Sequence, residues 1–405
     1  MPWQEMSAVD ARAAFIREFL EDVDTMTELC ERYGISRQTG YTWVARYDTE
    51  GIGGLQDRSR RPQRSPRATS QAVIDALIAA RRRRPTWGPK KLLSREWQLA
   101  ARPACSTASA ILKREGLVAK SRRRVRPGHP GAPPPAVAEP NAVWTLDFKG
   151  HFRVDGQWCY PLTVIDCCTR YVLGCHALPS TNTDLTRRVL QRVFQHYGLP
   201  ERIRSDNGVP FATSWAVARL SPLAVWWIHL GIVPELITPG CPQQNGRHER
   251  FHRTLKAETA QPPAATWAAQ QQRFVRYRQV FNQERPHEAL GQRPPAEFYV
   301  PSPRPYPKTL PPLIYPGDCA LRRVGPSGSV TWSGHAVFVS HVLTQEDVAF
   351  RPLADGVWAV FFGPLLLGHL DERRKPADHI SPVAVKHPRR RQRRDSPSHT
   401  LVKGE

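Results

Sequence analysis

The sequence lacks any run of apolar residues long enough to cross a bilayer. Its most apolar stretch, Leu223–Leu236, is interrupted by His229, Pro234 and Glu235, whereas a membrane-spanning helix needs about 20 predominantly apolar residues. The segment Met1–Ala14 also lacks the apolar centre of a secretory signal. We therefore expect a protein that has no membrane partner and works in the cytoplasm.

Cysteines with the spacing of metal ligands are missing as well. The chain has eight cysteines, at positions 30, 105, 159, 167, 168, 175, 241 and 319. None belongs to a Cys-x-x-Cys pair accompanied by histidines, and no set of His and Cys precedes residue 129. This pattern supports neither a structural zinc site nor a disulfide framework, so we expect free, mostly buried thiols.

Acidic residues are scarce relative to basic ones. The chain has 36 Asp and Glu against 58 Lys and Arg, which gives a net charge of +22 and an isoelectric point near 10.2. Such an excess favours a polyanionic partner, because lysines and arginines that neutralise phosphates release condensed counterions. A basic protein without a specific ligand, or one that binds a membrane surface, has the same composition, so charge alone does not decide the partner.

The length of 405 residues predicts several domains, and the first, 1–60, has a helical pattern. Apolar spacing and caps predict three helices, at Ser7–Val23, Thr27–Tyr33 and Arg37–Tyr47. The tight turn Gly34-Ile35-Ser36 before the third helix is typical of a helix-turn-helix, in which that helix enters the major groove of DNA.

The predicted DNA-reading residues of this domain are Arg37, Gln38 and Tyr41, on the outward N-terminal face of the third helix. A three-helix bundle with no DNA-binding role fits the helical pattern about as well. The arginine-rich run at 58–67 favours DNA, because a basic linker can follow phosphates.

A second helix-turn-helix-like domain is predicted at 70–126, with helices at 71–84, 89–99 and 106–115 and a basic run at 120–126. The following segment, 127–140, has six prolines in fourteen residues. This composition indicates a semi-rigid extended linker.

Strand patterns begin after the linker and define a third domain, 141–298. They predict strands at 143–152, 158–166, 170–177, 202–205 and 232–237, and helices at 183–197, 245–259 and 266–282. This order is that of the ribonuclease H-like fold, an α/β domain with a mixed five-stranded sheet and helices on both faces.

The last part of the chain predicts a small β-barrel at 317–373, since six short strands are separated by turns such as Asp355-Gly356. The barrel is a candidate for DNA binding. Residues 374–405 are expected to form a basic, disordered tail.

Between Asn141 and Ala260 the sequence has nine acidic residues, most of which have ordinary roles. Asp155 is a hairpin-turn residue and Asp184 lies in the first turn of a helix, where the helix dipole favours negative charge. Asp166 ends a strand and is most simply a structural turn residue. Glu201, Glu235 and Glu258 occupy positions that we expect to be exposed.

Three acids remain, Asp147, Asp206 and Glu249. Asp147 interrupts an apolar strand, where an unpaired buried carboxylate is costly and needs a cation or an arginine. Taken alone, Asp206 fits an ordinary turn and Glu249 a solvated helix residue. In the predicted fold, however, the first and fourth strands are neighbours and the helix that carries Glu249 crosses them, so the three carboxylates converge.

The segments around these acids resemble the three catalytic blocks of insertion-sequence transposases with a retroviral-integrase-type core. They are Trp144-Thr145-Leu146-Asp147, Ser205-Asp206-Asn207-Gly208 and Pro242-Gln243-Gln244-Asn245-Gly246-Arg247-His248-Glu249-Arg250-Phe251. The resemblance extends to the N-terminal helix-turn-helix, through Ser36-Arg37-Gln38-Thr39-Gly40-Tyr41, and to Asn282, Arg285, Pro286 and His287 after the core. It covers about 1–300.

This resemblance implies that Asp147, Asp206 and Glu249 are both the catalytic residues and the ligands of two Mg²⁺ (or Mn²⁺) ions at a scissile phosphate. It implies a transposase that cleaves at the ends of a mobile element and then joins the freed 3′-hydroxyl to target DNA. Lys256 and Arg253, on the helix of Glu249, are candidates for DNA contacts, although Lys256 is equally well explained as a solvated lysine.

The chain departs from the family in one respect. Asp206 and Glu249 are separated by 42 residues, several more than is usual, and we place the excess in Ser214–Trp227, an insertion that packs on the core or binds a partner.

Two other functions fit the sequence: a DNA-binding regulator that keeps the fold without activity, and a nuclease that only cleaves. The presence of all three acids argues against the first, and the DNA-binding segments argue against the second. The expected partners are the terminal inverted repeats and the target DNA, and we expect a homo-oligomer on DNA, associated with the nucleoid.

Overall fold

The structure, a computed structural model, describes residues 7–59, 68–118, 137–213, 216–238, 241–373 and 380–382. It divides into two compact units, Met1–Thr69 and Ser70–Glu405. The finer domain limits expected from the sequence remain predictions. The arginines at 60–67, the basic run at 120–126, most of the Pro-rich linker and nearly all of the basic tail lie outside the described residues.

The first unit contains three helices, α1 (Ala8–Leu20), α2 (Met26–Arg32) and α3 (Arg37–Glu50). Each begins after a residue whose hydroxyl accepts a hydrogen bond from the first turn, namely Ser7, Thr25 and Ser36. Such caps satisfy backbone N–H groups that have no partner inside the helix. The helix-turn-helix predicted from the sequence is therefore present, with α3 longer than expected.

Gly40 allows α3 to lie close to α1 and α2. A β-carbon at this position would lie 2.8 Å from the sulfur of Cys30 and 3.1 Å from the ring of Phe15, which is closer than van der Waals contact permits. Cys30 and Phe15 belong to the small apolar core of this unit together with Ile16 and Leu29. A side chain at position 40 would push α3 away from that core.

The second unit begins with α4 (Gln71–Arg83), α5 (Pro89–Lys91) and α6 (Cys105–Arg114). The predicted helix at 89–99 is shorter, because α5 continues only as one irregular turn, Leu92–Glu96, before the chain becomes extended at Trp97. These helices pack around Leu77, Trp87 and Leu112.

The central sheet has six strands, β1 (Val143–Phe148), β2 (Phe152–Val154), β3 (Gln157–Asp166), β4 (Val172–Leu178), β5 (Arg202–Ser205) and β6 (Val233–Leu236). Four helices accompany it, α7 (Thr183–Tyr197), α8 (Pro222–His229), α9 (Gly246–Thr259) and α10 (Trp267–Gln283). The pairing order is β2-β3-β1-β5-β6 with β4 on β3. β1 runs antiparallel to β3 and parallel to β5, and β5 runs parallel to β6. The mixed sheet of the ribonuclease H-like fold is confirmed.

The sixth strand arises because the predicted strand 143–152 is broken in two. Gly150 adopts a positive φ of 36° and donates its N–H back to the carbonyl of Phe148 at 2.9 Å. β1 therefore ends just after Asp147, and β2 resumes the pairing with β3 further along. The interruption leaves Asp147 at the carboxyl end of a central strand.

The Ala- and Trp-rich insertion packs inside the protein. Its helix α8 is buried from Leu223 to Ile228, and both Trp226 and Trp227 join the apolar core that also contains Phe194 of α7 and Phe362 of the C-terminal segment. Of the two roles considered for the insertion, packing against the core is the one that the structure supports. Residues 214 and 215 lie outside the described part of the chain.

The C-terminal segment contains the strands β7 (Ala320–Arg323), β8 (Ser329–Trp332), β9 (His335–Phe338), β10 (Asp347–Ala354), β11 (Val357–Phe362), β12 (Leu365–Asp371) and β13 (Ser381–Pro382). β7 and β10–β13 form one antiparallel sheet, and β8 and β9 form a separate hairpin.

The small β-barrel expected from the sequence is found as antiparallel strands, which form no closed barrel among the residues that the structure describes. The β8–β9 hairpin packs on the sheet through its side chains instead of joining its hydrogen-bonded ladder. Trp332 of the hairpin stacks on Phe350 of β10, with ring centroids 4.3 Å apart. The apolar face is thus covered by a packed hairpin and by α8, so the sheet does not need to close on itself. No described helix is long and apolar enough to cross a membrane.

Candidate active site

Asp147 lies on β1 and faces α9. Its neighbours in the strand, Leu146 and Phe148, belong to the apolar core on the other side of the sheet, because alternate residues of a strand point to opposite faces. The Asp147 side chain is 17% exposed. Asn245, just before α9, donates its side-chain N–H to Oδ2 of Asp147 at 3.3 Å.

Asp206 directly follows β5, the parallel neighbour of β1. Its Oδ1 accepts the backbone N–H of Gly208 at 3.1 Å, and Asn207 donates to the carbonyl of Ile237 at 2.8 Å. The turn that carries Asp206 is therefore fixed both internally and to the end of β6. The carboxylate is held at the same edge of the sheet as Asp147.

Glu249 lies in the first turn of α9, on its exposed face. Arg253 and Lys256 are exposed on the same helix, four and seven residues further on, and this spacing puts all three side chains on one face. The structure therefore places the two predicted DNA-contacting residues beside Glu249.

Asp206 and Glu249 act electrostatically on Asp147. Burial, together with the negative charge of Asp206 and then of Glu249, raises the pKa of Asp147 to about 7. Like charges disfavour each other's ionisation, so Asp206 and Glu249 are close enough to Asp147 to affect its pKa. The convergence of the three carboxylates at one site stays a prediction.

The buried face of α9 contributes two histidines that were not among the predicted site residues. His248 and His252 are buried, 1% and 4% exposed, and their rings lie 4.6 Å apart between centroids. Both point their Nε2 atoms at the hydroxyl of Thr163, at 2.6 and 2.7 Å. The signal in the sequence was a pair of histidines spaced i, i+4 around Glu249, which places them on one side of the helix.

Burial keeps these two rings neutral. It lowers the pKa of His248 to about 3, and it lowers the pKa of His252 further, with a contribution from the neighbouring His248. Nδ1 of His252 lies 3.6 Å from Oδ2 of Asp147, which is too long for a direct hydrogen bond.

The residues at this site fit a divalent cation. Oδ1 of Asn245 and Oγ of Ser205, which flank the acids, are buried without a hydrogen-bond partner among the described residues, and such orphan oxygens are uncommon. Burial and the negative charges of Asp206 and Glu249 also raise the pKa of Asp147, and a cation beside this carboxylate would offset their effect. Hard oxygen ligands of this kind suit Mg²⁺.

Asp166 has the structural role that the sequence favoured. It is fully buried and accepts hydrogen bonds from the backbone N–H groups of Asn141 and Thr169, both at 2.8 Å, and from the Thr169 hydroxyl at 2.7 Å. These contacts close the turn between β3 and β4.

In the first unit, Arg37, Gln38 and Tyr41 are all exposed. They line one shallow groove along α3, which continues past Thr42 to Thr49 and has no acidic residue in its lining. The three residues therefore share an open face of α3 whose side chains are neutral or basic. Such a face is compatible with a helix that enters a DNA groove.

Comparison with known families matches this architecture. Residues 137–242 and 230–295 match two models described as an integrase core domain, 11–63 match a helix-turn-helix domain, and 39–112 match a homeodomain-like domain. These matches confirm the resemblance that the three sequence blocks suggested.

The chain is also similar to proteins of bacterial insertion elements. It is 30% identical to an uncharacterized 39.2 kDa protein of IS476 from Xanthomonas euvesicatoria, over 40% of this chain and 45% of that protein. It is 30% identical to an uncharacterized 31.7 kDa protein of IS407 from Burkholderia multivorans, over 46% and 66%. Identity to transposase InsF of IS3A from Escherichia coli is 24%, over 57% and 77%. The chain thus matches about half of the first relative and just under two thirds of the second.

Proposed function

We propose that this chain, which carries an integrase core domain behind helix-turn-helix domains, is a transposase. It would bind the ends of a mobile DNA element, hydrolyse a strand at each end and join the 3′-hydroxyl to target DNA. The observation that carries the proposal is the raised pKa of Asp147, which is caused by burial and by the negative charges of Asp206 and Glu249. The names of the insertion-element relatives support it.

The roles of the residues follow from their positions. Asp147, Asp206 and Glu249 would hold two Mg²⁺ (or Mn²⁺) ions. In support, Asp147 and Asp206 lie at the carboxyl ends of two neighbouring parallel strands, and the helix that carries Glu249 packs against Asp147. Bound there, the ions would lower the pKa of the attacking water or 3′-hydroxyl and stabilise the leaving oxygen. Arg253 and Lys256 would contact DNA phosphates next to the site, because they share the exposed face of Glu249.

DNA binding would begin with α3. Arg37, Gln38 and Tyr41 would enter the major groove at the terminal inverted repeats, and the net charge of +22 would strengthen binding to any DNA. Both ends of an element have to be held together for joining, so we expect a homo-oligomer on DNA. A location in the cytoplasm, on the nucleoid, follows from these partners.

The test is strand transfer by the full-length protein in Mg²⁺. A labelled, pre-cleaved duplex is made from the DNA that flanks the gene, where imperfect inverted repeats are expected, and a supercoiled plasmid serves as target. The wild type should insert the label into the plasmid. Asp147→Asn, Asp206→Asn and Glu249→Gln should each lower the rate at least about 100-fold, as expected for groups that act only in the transition state.

Asp184→Asn is the matched control, because Asp184 is an exposed acid of the same domain in the first turn of α7 and should leave joining unchanged. Full joining by all three acid variants would overturn the assignment of the site. Cleavage without joining would identify a nuclease, and DNA binding without either reaction would identify a regulator that has kept the fold.

A further inference from the structure

The hydroxyl of Thr163 fixes the protonation of both buried histidines. Its oxygen has three partners, the main-chain carbonyl of Asp147 at 3.0 Å, Nε2 of His248 at 2.6 Å and Nε2 of His252 at 2.7 Å. A hydroxyl has one hydrogen and two lone pairs, and the carbonyl can only accept. All three contacts are satisfied when the hydroxyl donates to the carbonyl and both Nε2 atoms donate their N–H to the hydroxyl oxygen.

This arrangement leaves a lone pair on Nδ1 of each ring, since a neutral imidazole carries one N–H. Nδ1 of His248 lies 3.0 Å from the hydroxyl of Thr145, which donates to it. Both nitrogens of His248 are therefore used. His252 differs, because its Nδ1 lies opposite Oδ2 of Asp147 at 3.6 Å.

Two hydrogen-bond acceptors, Oδ2 of Asp147 and Nδ1 of His252, therefore face each other in the candidate site. When Asp147 is ionised, as a carboxylate that binds a cation is, neither this carboxylate nor the lone pair on Nδ1 of His252 has a hydrogen to offer the other, and Asn245 supplies only one donor to Oδ2. Atoms of Asp147, His248 and His252 lie within 4.8 Å of one another. His248 is excluded as a ligand by its hydrogen bonds, which leaves His252 and Asp147 as a pair.

We propose that Nδ1 of His252 is a ligand of the divalent cation that Asp147 binds. The inference rests on the proposed function, because this cation is one of those assigned to the three acids. Thr163 and His248 act as positioning residues, holding His252 in the tautomer that presents a lone pair. A nitrogen ligand in an otherwise oxygen-lined site shifts the preference from Mg²⁺ toward Mn²⁺, since imidazole favours the later transition metals and magnesium favours oxygen.

The experiment measures Mn²⁺ binding to the full-length protein by electron paramagnetic resonance, with pulsed detection of nitrogen nuclei coupled to the ion. The wild type should show the coupling of a directly bound imidazole nitrogen, and incorporation of ¹⁵N-histidine should change it from the ¹⁴N to the ¹⁵N pattern. This measurement needs no variant, so it does not depend on how well a variant folds. Absence of any imidazole coupling in the wild type overturns the proposal.

Variants then identify the residue. His252→Asn should lose the coupling and bind Mn²⁺ at least tenfold more weakly, with a smaller change for Mg²⁺. His248→Asn should keep the coupling, and so should His335→Asn, a matched substitution at an exposed hairpin position. Retention of the coupling by His252→Asn, with thermal unfolding confirming that it is folded, overturns the proposal.

Asp147→Asn separates this inference from the proposed function. Loss of Mn²⁺ binding in Asp147→Asn with normal binding in His252→Asn refutes only the histidine ligand. A wild type that binds no Mn²⁺, or an Asp147→Asn variant that binds it as the wild type does, refutes the metal site itself.

Discussion

Asp147 and Thr163 are direct cross-strand partners in the β1–β3 ladder, and the Thr163 hydroxyl donates to the main-chain carbonyl of Asp147 at 3.0 Å. The same hydroxyl lies 2.6 and 2.7 Å from the Nε2 atoms of His248 and His252 of α9. One side chain therefore joins the strand that carries Asp147 to the helix that carries Glu249. A shift of this register by one residue would turn Asp147 to the opposite face of the sheet.

We predict that Thr163→Val destabilises the protein much more than Thr163→Ser. Valine has nearly the same shape but leaves the two histidine N–H groups without their acceptor, and an unsatisfied buried group costs about 1–3 kcal/mol. The free energy of unfolding in urea should fall by at least about 2 kcal/mol in the valine variant. Serine keeps the hydroxyl and should cost only about 1 kcal/mol for the lost methyl group. Equal stability of the two variants would mean that the hydroxyl does not hold α9.

The raised pKa of Asp147 predicts a pH-dependent stability. Because the folded protein binds this proton more tightly than the unfolded chain, ionisation of Asp147 destabilises the fold. Below about pH 4 the group is protonated in both states and has no effect. The free energy of unfolding decreases as the pH rises from about 4 to about 7. Above pH 7 the decrease is complete, and its upper bound is about 4 kcal/mol for a pKa about three units above its ordinary value.

Asp147→Asn removes this cost. In metal-free buffer the variant should unfold at a higher temperature than the wild type at pH 8 and at about the same temperature at pH 4. Addition of Mg²⁺ at pH 8 should stabilise the wild type alone. Asp184→Asn serves as the control and should not show the gain in stability at pH 8. A difference between Asp147→Asn and the wild type that is independent of pH would contradict the shift.

The sequence predicted the layout of the site because strand order constrains it. Three separated acids could be assigned to one place once the first and fourth strands were recognised as neighbours, and the helix-turn-helix followed from caps such as Ser36 and a glycine turn. Both are local or topological signals, which a single sequence contains.

Contacts between side chains far apart in the sequence could not be predicted in this way. The role of Thr163 depends on its pairing with Asp147 and on the distance to α9, neither of which has a local pattern. A small β-barrel was expected because strand spacing does not reveal whether β8 and β9 join the ladder or pack on it through Trp332. For the insertion at 214–227 the sequence left two roles open, packing on the core and binding of a partner, since burial of α8 depends on the C-terminal sheet.

For DNA binding we predict different effects of two neighbours on α3. Arg37→Ala should weaken binding to all sequences and lower the slope of log affinity against log salt by about 1, as for a lost phosphate contact. Gln38→Ala should leave the slope unchanged and cost about 1–3 kcal/mol only on the element's own ends, as for a base contact. Both are measured by fluorescence anisotropy between about 50 and 200 mM salt. Arg17→Ala, an exposed arginine on α1, is the control, and an equal effect of all three would indicate a nonspecific basic surface.

Arg285 is predicted to hold the first helices of the second unit on the core. It is 6% exposed, donates to Glu258 at 3.0 Å and to Thr86 at 3.4 Å, and lies over the ring of Phe281. Thr86 and Glu258 are also hydrogen-bonded to each other. The Arg285 guanidinium contacts both, and it therefore links the segment after α4 to the end of α9. Arg285→Ala removes the packing and leaves the partly buried Glu258 carboxylate without its ion pair.

The breaking of a buried ion pair costs about 3–5 kcal/mol, and because the Glu258 side chain is 25% exposed we expect about 2–3 kcal/mol for Arg285→Ala in urea unfolding. Arg293→Ala is the matched control. Its ion pair with Glu297 joins side chains that are 57% and 37% exposed, four residues apart, and such pairs contribute about 0.3–0.5 kcal/mol. The double variant Arg285→Ala with Glu258→Gln should recover part of the loss, because the unpaired charge is then removed. If Arg285→Ala cost no more than Arg293→Ala, the docking of these helices would depend on apolar packing around Trp87 instead.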